Sequence, residues 1–174
     1  MTPIEETWPV TLSTSISTLE AAIGDPRQGL PEEVFIFTSR ITPLINVDLL
    51  IQDDARRTLL TWRDDASFGQ GWHIPGGIIR YQQTIADSIR SCARRELGAE
   101  VTFDAEPLLV SETIRSCRVR GHFLSLLYRC RLTTAPDPAL RSESHPKAGA
   151  WRWHQTCPPD FLKAQAQYAR FFAC

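Results

Sequence analysis

A glycine pair and a glutamate close to the end of a helical pattern are the residues of this chain best suited to bind a hard cation. The pair is Gly76-Gly77 and the acid is Glu96. Glycine frees the backbone to adopt unusual angles and to expose its carbonyl groups. Carbonyl and carboxylate oxygens are the ligands that Mg²⁺ prefers, with water and substrate phosphates filling the remaining positions. Such a combination can therefore hold a metal ion together with a phosphate-bearing substrate.

The elements around this pair are predicted from hydrophobic periodicity and from turn residues. From Thr84 the apolar residues recur with helical period, and Gly98 stands where a left-handed helix cap belongs. Before the glycine pair, strands are predicted at 44–51, 58–63 and 72–74, the last one stopped by Pro75-Gly76-Gly77. After the helix, strands are predicted at 108–114 and 123–132, and a final helix at 160–172.

This order of elements predicts an α+β protein with a mixed β-sheet. Residues 1–30 are interpreted as an N-terminal extension with a short helix at 17–23, and residues 31–174 as one domain that opens with a helix at Pro31. A chain of 174 residues is long enough for one domain with a core of ordinary size.

Composition excludes several classes of function. The 19 basic and 20 acidic residues leave a net charge of -1, so no overall field recruits nucleic acid. No apolar run is long enough to span a bilayer, and the first residues lack a signal-peptide pattern. The five cysteines form no C-x-x-C pair. We therefore expect a cytoplasmic protein with free thiols that binds neither nucleic acid nor membrane.

The segment after the glycine pair resembles the signature of the Nudix hydrolases. That signature is Gly, five residues, Glu, seven residues, Arg-Glu, an aliphatic residue, any residue, Glu-Glu, any residue and Gly. When it is aligned from Gly77, one of its four acidic positions is kept. The aligned positions carry Gln83, Ser91, Cys92, Arg95, Glu96 and Gly98. The triplet Arg95-Glu96-Leu97 imitates part of the signature but lies four positions too late.

Within the Nudix hydrolases, the chain is most similar to the GDP-mannose mannosyl hydrolases, which also lack most of these carboxylates. The similarity extends over residues 30–165, including the Thr42-Pro43-Leu44 turn, the approach to the glycines from Trp72, and the final Trp151-Arg152-Trp153. This resemblance implies the Nudix fold, with a mixed β-sheet sandwiched between helices. It also implies a homodimer, to which the apolar helix around Val34-Phe35-Ile36-Phe37 could contribute.

The resemblance further implies a reaction and a cofactor. Water attacks the anomeric carbon of a nucleoside diphosphate sugar, and one Mg²⁺, or Mn²⁺ in its place, neutralises the departing diphosphate. Inversion at carbon is expected when the water comes from the opposite face. The metal ligands would be Glu96 and the carbonyl of Gly76, with Glu143 as a third because Ser144 is a poorer ligand than the amide found in that branch.

Other positions take their roles from the same branch. His145 would be the general base, since a histidine side chain can accept a proton at physiological pH. Asp48 would act near the sugar or the nucleobase of the substrate. The alternative is a structural ion pair within the sheet, because an unpaired buried carboxylate is costly. Arg63 and Arg80 would bind the diphosphate, and His122 would either touch substrate or be buried and hydrogen-bonded.

Two departures from the branch leave other functions open. Ile78 and Ser91 stand where that branch has arginines, so GDP-mannose itself is not fixed as the substrate. One alternative is a Nudix pyrophosphohydrolase that attacks phosphorus, for example in ADP-ribose-like compounds. The other is a Nudix-fold protein that binds a nucleotide without turnover.

Overall fold

A computed structural model describes residues 10–116 and 119–172 of the chain. Two helices precede the first strand, and a third helix separates the first four strands from the last four. The helices and strands are α1 Val10–Ile23, α2 Glu32–Ile41, β1 Leu44–Ile51, β2 Thr58–Asp65, β3 Gly69–His73, β4 Gly76–Ile78, α3 Ile85–Leu97, β5 Val101–Phe103, β6 Leu109–Ile114, β7 His122–Leu132 and β8 Trp151–His154. Short 3₁₀ segments lie at Pro26–Gln28, Pro138–Leu140 and Lys163–Phe171.

The strands form two sheets. The larger one has the order β4-β1-β7-β5, with β6 also paired to β7, and its β1–β7 pair is parallel while its other pairs are antiparallel. The smaller sheet is antiparallel with the order β3-β2-β8. Parallel pairs need both faces covered, and Leu49, Leu50 and Ile51 of β1 are accordingly at most 1% exposed. The predicted α+β class with a mixed sheet is confirmed.

Helix α3 places the glutamate of the signature. The Thr84 side chain accepts the N–H of Asp87 at the start of the helix, and Gly98 ends it in the left-handed conformation, at φ 61° and ψ 25°. Ile89 and Leu97 are fully buried in the core between the helix and β1, and burial of each contributes on the order of 2 kcal/mol. The helix is thereby held along one face, which fixes the direction of Glu96 in its last turn.

The glycine pair does not simply stop the preceding strand, because it forms β4 at the edge of the larger sheet. Gly76 lies opposite Asp48 and Gly77 lies opposite Val47. The N–H of Leu49 donates to the Pro75 carbonyl at 2.8 Å. Leu49 and Pro75 are therefore a hydrogen-bonded pair, and so are Val47 and Gly77 two positions away. Hydrogen-bonded and non-bonded pairs alternate in an antiparallel ladder. The N–H and carbonyl of Gly76 therefore point away from β1.

The two ends of the chain depart from the predicted helices. Helix α1 starts at Val10 instead of residue 17. The predicted α-helix at 160–172 is a 3₁₀ segment, Lys163–Phe171, interrupted at Gln165 by φ -115° and ψ 17°. The Gln165 amide bonds both the N–H and the carbonyl of Ile74, at 2.7 and 3.2 Å. These tertiary bonds hold the backbone out of a regular helix.

Two further expectations concern surfaces. None of the described helices is long and apolar enough to cross a membrane. On α2, Phe37 and Ile41 are 47% and 67% exposed, while Val34 is buried. The expected homodimer and the boundary at residue 30 stay predictions.

Candidate active site

A cavity of about 560 Å³ opens beside β4 and the end of α3. It brings together side chains from both sheets, from α3 and from the C-terminal 3₁₀ segment. Its charged lining consists of five arginines and two carboxylates: Arg63, Arg80, Arg95, Arg115, Arg120, Asp48 and Glu96. The excess of positive charge suits an anionic ligand. The two carboxylates suit a cation bound with that ligand.

Asp48 is the more deeply placed carboxylate, at 3% exposure. It accepts hydrogen bonds from the Tyr168 hydroxyl at 2.6 Å, the Asn46 amide at 3.0 Å and the Gln165 amide at 3.4 Å. Burial raises its pKa to about 7, and the negative charge of Glu96 adds to that rise, while the hydrogen bonds oppose it. Among the described residues Asp48 has no ion-pair partner, so hydrogen bonds take the place of the alternative structural ion pair.

Glu96 is the second carboxylate, and its side chain is 18% exposed. It accepts a hydrogen bond from the Thr61 hydroxyl at 3.2 Å and another from the N–H of Gly76. The Arg95 guanidinium lies 3.7 Å away. Burial raises the pKa of Glu96, whereas Arg95, Arg63 and these hydrogen bonds act to lower it. Because the Gly76 N–H and carbonyl share one side of β4, that carbonyl lies on the same edge as Glu96.

A buried histidine continues the hydrogen bonds beyond Glu96. Thr61 and His73 face each other on β2 and β3, with the Thr61 hydroxyl 3.1 Å from His73 Nε2. His73 Nδ1 lies 2.9 Å from the Ile74 carbonyl, so Nδ1 carries the proton and Nε2 of the neutral ring can only accept. Burial lowers the pKa of His73 to about 3 and keeps the ring neutral. Thr61 has one hydroxyl proton, so it can donate to Glu96 or to His73 Nε2 but not to both at once.

Both arginines that were predicted to bind the diphosphate, Arg63 and Arg80, line the cavity. Arg63 lies on β2, and its positive charge lowers the pKa of both carboxylates. Its Nε lies 3.6 Å from Asp65. Arg80 is exposed in the loop after β4, where its backbone N–H donates to the Gln83 side chain at 3.0 Å. The cavity therefore collects five of the eight predicted site residues: Asp48, Arg63, Gly76, Arg80 and Glu96.

The other three predicted residues do not line this cavity. His122 lies at the start of β7, with Nε2 3.0 Å from the Glu112 carboxylate, beside a second surface depression. His145 and Glu143 are exposed. The loop that carries them is anchored by Arg152, whose guanidinium donates to the Ser142 carbonyl at 3.0 Å. Their predicted roles require this loop to reach the cavity.

Several residues of the site are not indicated by the signature at all. They are Thr61, His73, Arg115, Arg120, Gln165 and Tyr168, which come from four separate stretches of the chain. Thr61 and His73 carry a weak signal, since each is a polar residue inside an apolar strand. Tyr168 and Gln165 carry none, because only the folded chain brings them against Asp48.

Comparison with known proteins agrees with this architecture. A NUDIX domain family model matches residues 42–171. The MutT NUDIX hydrolase of Burkholderia pseudomallei superposes with a TM-score of 0.62 at 20% identity, covering 76% of this chain and 99% of that one. A UDP-X diphosphatase superposes with a TM-score of 0.55 at 16% identity, covering 92% of this chain and 87% of that one.

One curated relative carries a name related to sugars. The low-salt glycan biosynthesis protein Agl8 of Haloferax volcanii is 29% identical over 80 residues, which are 46% of this chain and 51% of that protein. The match thus spans about half of the relative's length. The family match is broader, since it extends over residues 42–171. The chain belongs to the NUDIX domain family.

Proposed function

We propose that this chain is a Mg²⁺-dependent hydrolase of a nucleoside diphosphate sugar, GDP-mannose-like in chemistry. Water attacks the anomeric carbon, the bond from that carbon to the diphosphate oxygen breaks, and the leaving group keeps the electron pair. The products are a nucleoside diphosphate and the free sugar, and the water gives up one proton. The chain belongs to the Nudix family, and the sugar and the site of attack are the steps that this proposal adds.

The observation that carries the proposal is how few carboxylates α3 brings to the cavity. Cys92, at a signature position for glutamate, is 1% exposed and packed in the core. Arg95, at another, holds its guanidinium beside Glu96. Only Glu96 of the helix acids lines the cavity. Attack at phosphorus with several metal ions needs more acidic ligands than this, whereas departure of a neutralised diphosphate from carbon needs fewer.

The oxygen atoms of the site fit a single divalent ion. The described residues contain no group of three or more His, Cys, Asp or Glu side chains that could hold a metal. Mg²⁺ is commonly held by only one or two carboxylates plus substrate phosphates. Glu96, the Gly76 carbonyl outside the ladder, and Asp48 across β4 would supply such oxygens. When bound, the ion neutralises negative charge on the departing diphosphate.

The remaining roles follow from charge and position. Arg63 and Arg80 line the cavity and would pair with diphosphate oxygens, for which a guanidinium fork is well suited. The Asp48 oxygen that does not bind the ion would accept a hydrogen bond from the sugar, or from the attacking water, at the floor of the cavity. His145 would act as the general base, with Glu143 beside it as a further metal ligand. Both would reach the substrate by movement of the exposed loop that carries them.

The curated relative supports a sugar substrate. Agl8 is named for glycan biosynthesis, and enzymes of glycan synthesis act on activated sugars. The chain shares with the mannosyl hydrolase branch both the loss of helix carboxylates and the retained Glu96. The name of this relative and the similarity to the mannosyl hydrolase branch together favour a nucleotide sugar over other nucleoside diphosphate derivatives.

Product analysis in ¹⁸O-labelled water tests the proposal. The protein is incubated with Mg²⁺ and a panel of nucleotide sugars, and the products are identified by phosphorus and proton NMR and by mass spectrometry. We expect nucleoside diphosphate without label and a sugar carrying ¹⁸O. Nucleoside monophosphate with label in a phosphate group would show attack at phosphorus. Tight binding without product would show a binding protein, and either result would overturn the proposal.

Two substitutions then test the assigned residues. Glu96→Gln should lower kcat by about a hundredfold or more, because charge neutralisation at the leaving group is worth several kcal/mol. Glu100→Gln is the matched control, since Glu100 pairs with the exposed Arg94 at 2.6 Å and does not line the cavity. His145→Ala should cost roughly a hundredfold. Normal turnover in that variant would remove His145 from the mechanism and leave the metal assignment standing.

A further inference from the structure

Three arginines converge on one aromatic ring at the wall of the cavity. The guanidinium carbons of Arg63, Arg115 and Arg120 lie 5.0, 5.0 and 5.1 Å from the centroid of Phe68. Arg63 comes from β2, and the other two come from the segment between β6 and β7. All three, which we call the arginine cluster, line the same cavity as Asp48 and Glu96. Three like charges on one ring repel one another unless an anion joins them.

The described residues supply little negative charge to the arginine cluster. Asp65 lies 3.6 Å from Arg63, and one of its oxygens already accepts the N–H groups of Ser67 and Phe68. Arg115 and Arg120 have no ion pair with any acid in the described parts of the chain. The Nε of Arg120 is buried and lacks a hydrogen-bond partner. A buried donor without a partner is costly, and a bound acceptor would remove that cost.

The electrostatic state of Arg120 agrees with an unfilled anion site. Burial lowers its pKa, and the positive charges of Arg63 and Arg115 lower it further, while Asp65 alone opposes them. An oxyanion placed between the guanidinium groups would compensate the repulsion. It would also accept several charge-assisted hydrogen bonds, which are the strong ones in proteins.

Within the arginine cluster, Arg63 also acts electrostatically on Asp48 and Glu96, whereas Arg115 and Arg120 come from the segment between β6 and β7. Phe123 contacts Phe68, with ring centroids 6.1 Å apart, and is paired with Leu44 on β1. Asp48 lies four residues further along β1, which is about 13 Å at the rise of an extended strand. Asn46 and Ser125 lie between them on the cavity floor, bonded to each other at 3.0 Å. Arg115 and Arg120, beside Phe68, and the two carboxylates therefore lie in different parts of the cavity.

We propose that Arg115 and Arg120 of the arginine cluster form a subsite for a further oxyanion carried by the substrate, with Arg63 shared between this oxyanion and the diphosphate. The substrates would then be nucleoside diphosphate derivatives with an additional acidic group. That group is either a carboxylate on the sugar or a phosphate on the ribose. This inference rests on the proposed function for the position of the cleaved bond, but the subsite itself is defined by binding alone.

Matched ligand pairs test the subsite without turnover. Dissociation constants are measured by calorimetry in EDTA for UDP-glucose and UDP-glucuronic acid, which differ by a carboxylate, and for ADP-ribose and its 2′-phosphate, which differ by a phosphate. In the wild-type protein we expect the acidic member of one pair to bind roughly tenfold tighter, as for one good hydrogen-bonded ion pair. The pair that shows the preference identifies the source of the oxyanion.

Variants then locate the preference. Arg120→Gln should bring the two members of that pair to nearly equal affinity, and Arg120→Lys should recover only part of the difference, because it keeps the charge but loses the fork. Arg131→Gln is the control, since Arg131 is exposed and pairs with Asp104 outside the cavity. If Arg120→Gln does not fold, as judged by thermal unfolding, Arg115→Gln is used in the same way.

The outcomes separate this inference from the proposed function. Equal affinities within both pairs in the wild-type protein, or an unchanged preference in the folded arginine variant, would overturn the subsite. Cleavage at phosphorus would overturn the proposed function and leave a measured binding preference intact. Cleavage at carbon with no preference for an acidic ligand would do the reverse.

Discussion

The two carboxylates of the cavity and its arginine cluster are built into the fold in different ways. The acidic end consists of Asp48 on a central strand and Glu96 on a packed helix, with Gly76 between them. The arginine cluster sits instead at a strand end and in the segment between β6 and β7, gathered around Phe68. In the proposed reaction, a strand and a packed helix would thus hold the groups that must be placed most accurately, next to the bond that breaks. The less regular end is the one that can vary between substrates.

The charged groups at the two ends also differ in how well they are hydrogen-bonded. At the acidic end each carboxylate has more than one hydrogen-bond donor, and the strongest contact is the Tyr168 hydroxyl, which donates to Asp48 at 2.6 Å. At the other end a buried Arg120 donor has no partner. The acidic end is thus organised in the free protein, whereas the arginine cluster gains its partner only from a ligand. Substitutions at the first should lower kcat, and substitutions at the second should raise KM.

The largest effect that sharpens this comparison is the pH dependence of Asp48. Its folded pKa, about 7, is raised above the ordinary value of 3.8, so its contribution to stability is present at low pH and is lost as pH rises through 7. In EDTA, wild-type protein should therefore lose stability relative to Asp48→Asn between pH 4 and pH 8, by up to about 4 kcal/mol at 1.4 kcal/mol for each pKa unit.

Urea unfolding of both proteins across this pH range measures the difference. The comparison with Asp48→Asn cancels the opposite trend of His73, whose folded pKa of about 3 costs stability as pH falls below 6.5. Adding Mg²⁺ should reduce the stability difference between wild type and Asp48→Asn at pH 8 and leave it unchanged at pH 5, because a metal binds the ionised carboxylate. If the difference in unfolding free energy between the two proteins were the same at every pH, folding would not raise the pKa of Asp48.

A smaller effect is expected from the two glycines of β4, which form a matched pair. A Cβ added at Gly76 would overlap the Asp48 carboxylate and approach the Val47 carbonyl to 2.9 Å, whereas at Gly77 it would meet the Arg95 Nη2 at 2.6 Å. The first neighbours belong to the sheet, and the second is the flexible tip of a side chain that is 56% exposed. Gly76→Ala should cost about 2 kcal/mol, and Gly77→Ala less than about 1.

Thermal unfolding and initial rates check this pair together. Gly76→Ala should also lower kcat by at least about tenfold, because displacement of a catalytic group by a fraction of an ångström is costly. Equal stability and equal activity in the two variants would mean that the close approach of β4 to Asp48 has no functional weight.

The smallest effect is expected at the arginine cluster in the absence of ligand. Phe68→Leu removes the ring that three guanidinium groups share, and an exposed cation–π contact is worth about 0.5–1 kcal/mol. Because the three cations also repel one another, the net loss should be near 1 kcal/mol. Phe37→Leu on the exposed face of α2 serves as the control and should change little. A loss above about 3 kcal/mol would show that this region is structural core, and the contrast between the two ends would fail.

Local sequence signals predicted the elements whose boundaries depend on neighbouring residues. The α3 helix was predictable because its apolar residues repeat with period 3.6 and Gly98 supplies the left-handed cap. The glycine pair was predicted to expose a carbonyl, and the ladder leaves the Gly76 carbonyl free while making the pair a strand. The C-terminal helix was predicted with the wrong type, because the bonds from Gln165 to Ile74 act over 91 positions of the chain.

The amino-acid sequence by itself determined the family signature, the retained Glu96, the buried β1 and the helix that carries the glutamate, since each depends on residue type and on spacing along one segment. Only the tertiary structure decided that Tyr168 supports Asp48, that Thr61 and His73 extend from Glu96, and that three arginines meet on Phe68. Such contacts join residues far apart in the chain, and their free energy depends on burial and on distances that no local pattern encodes.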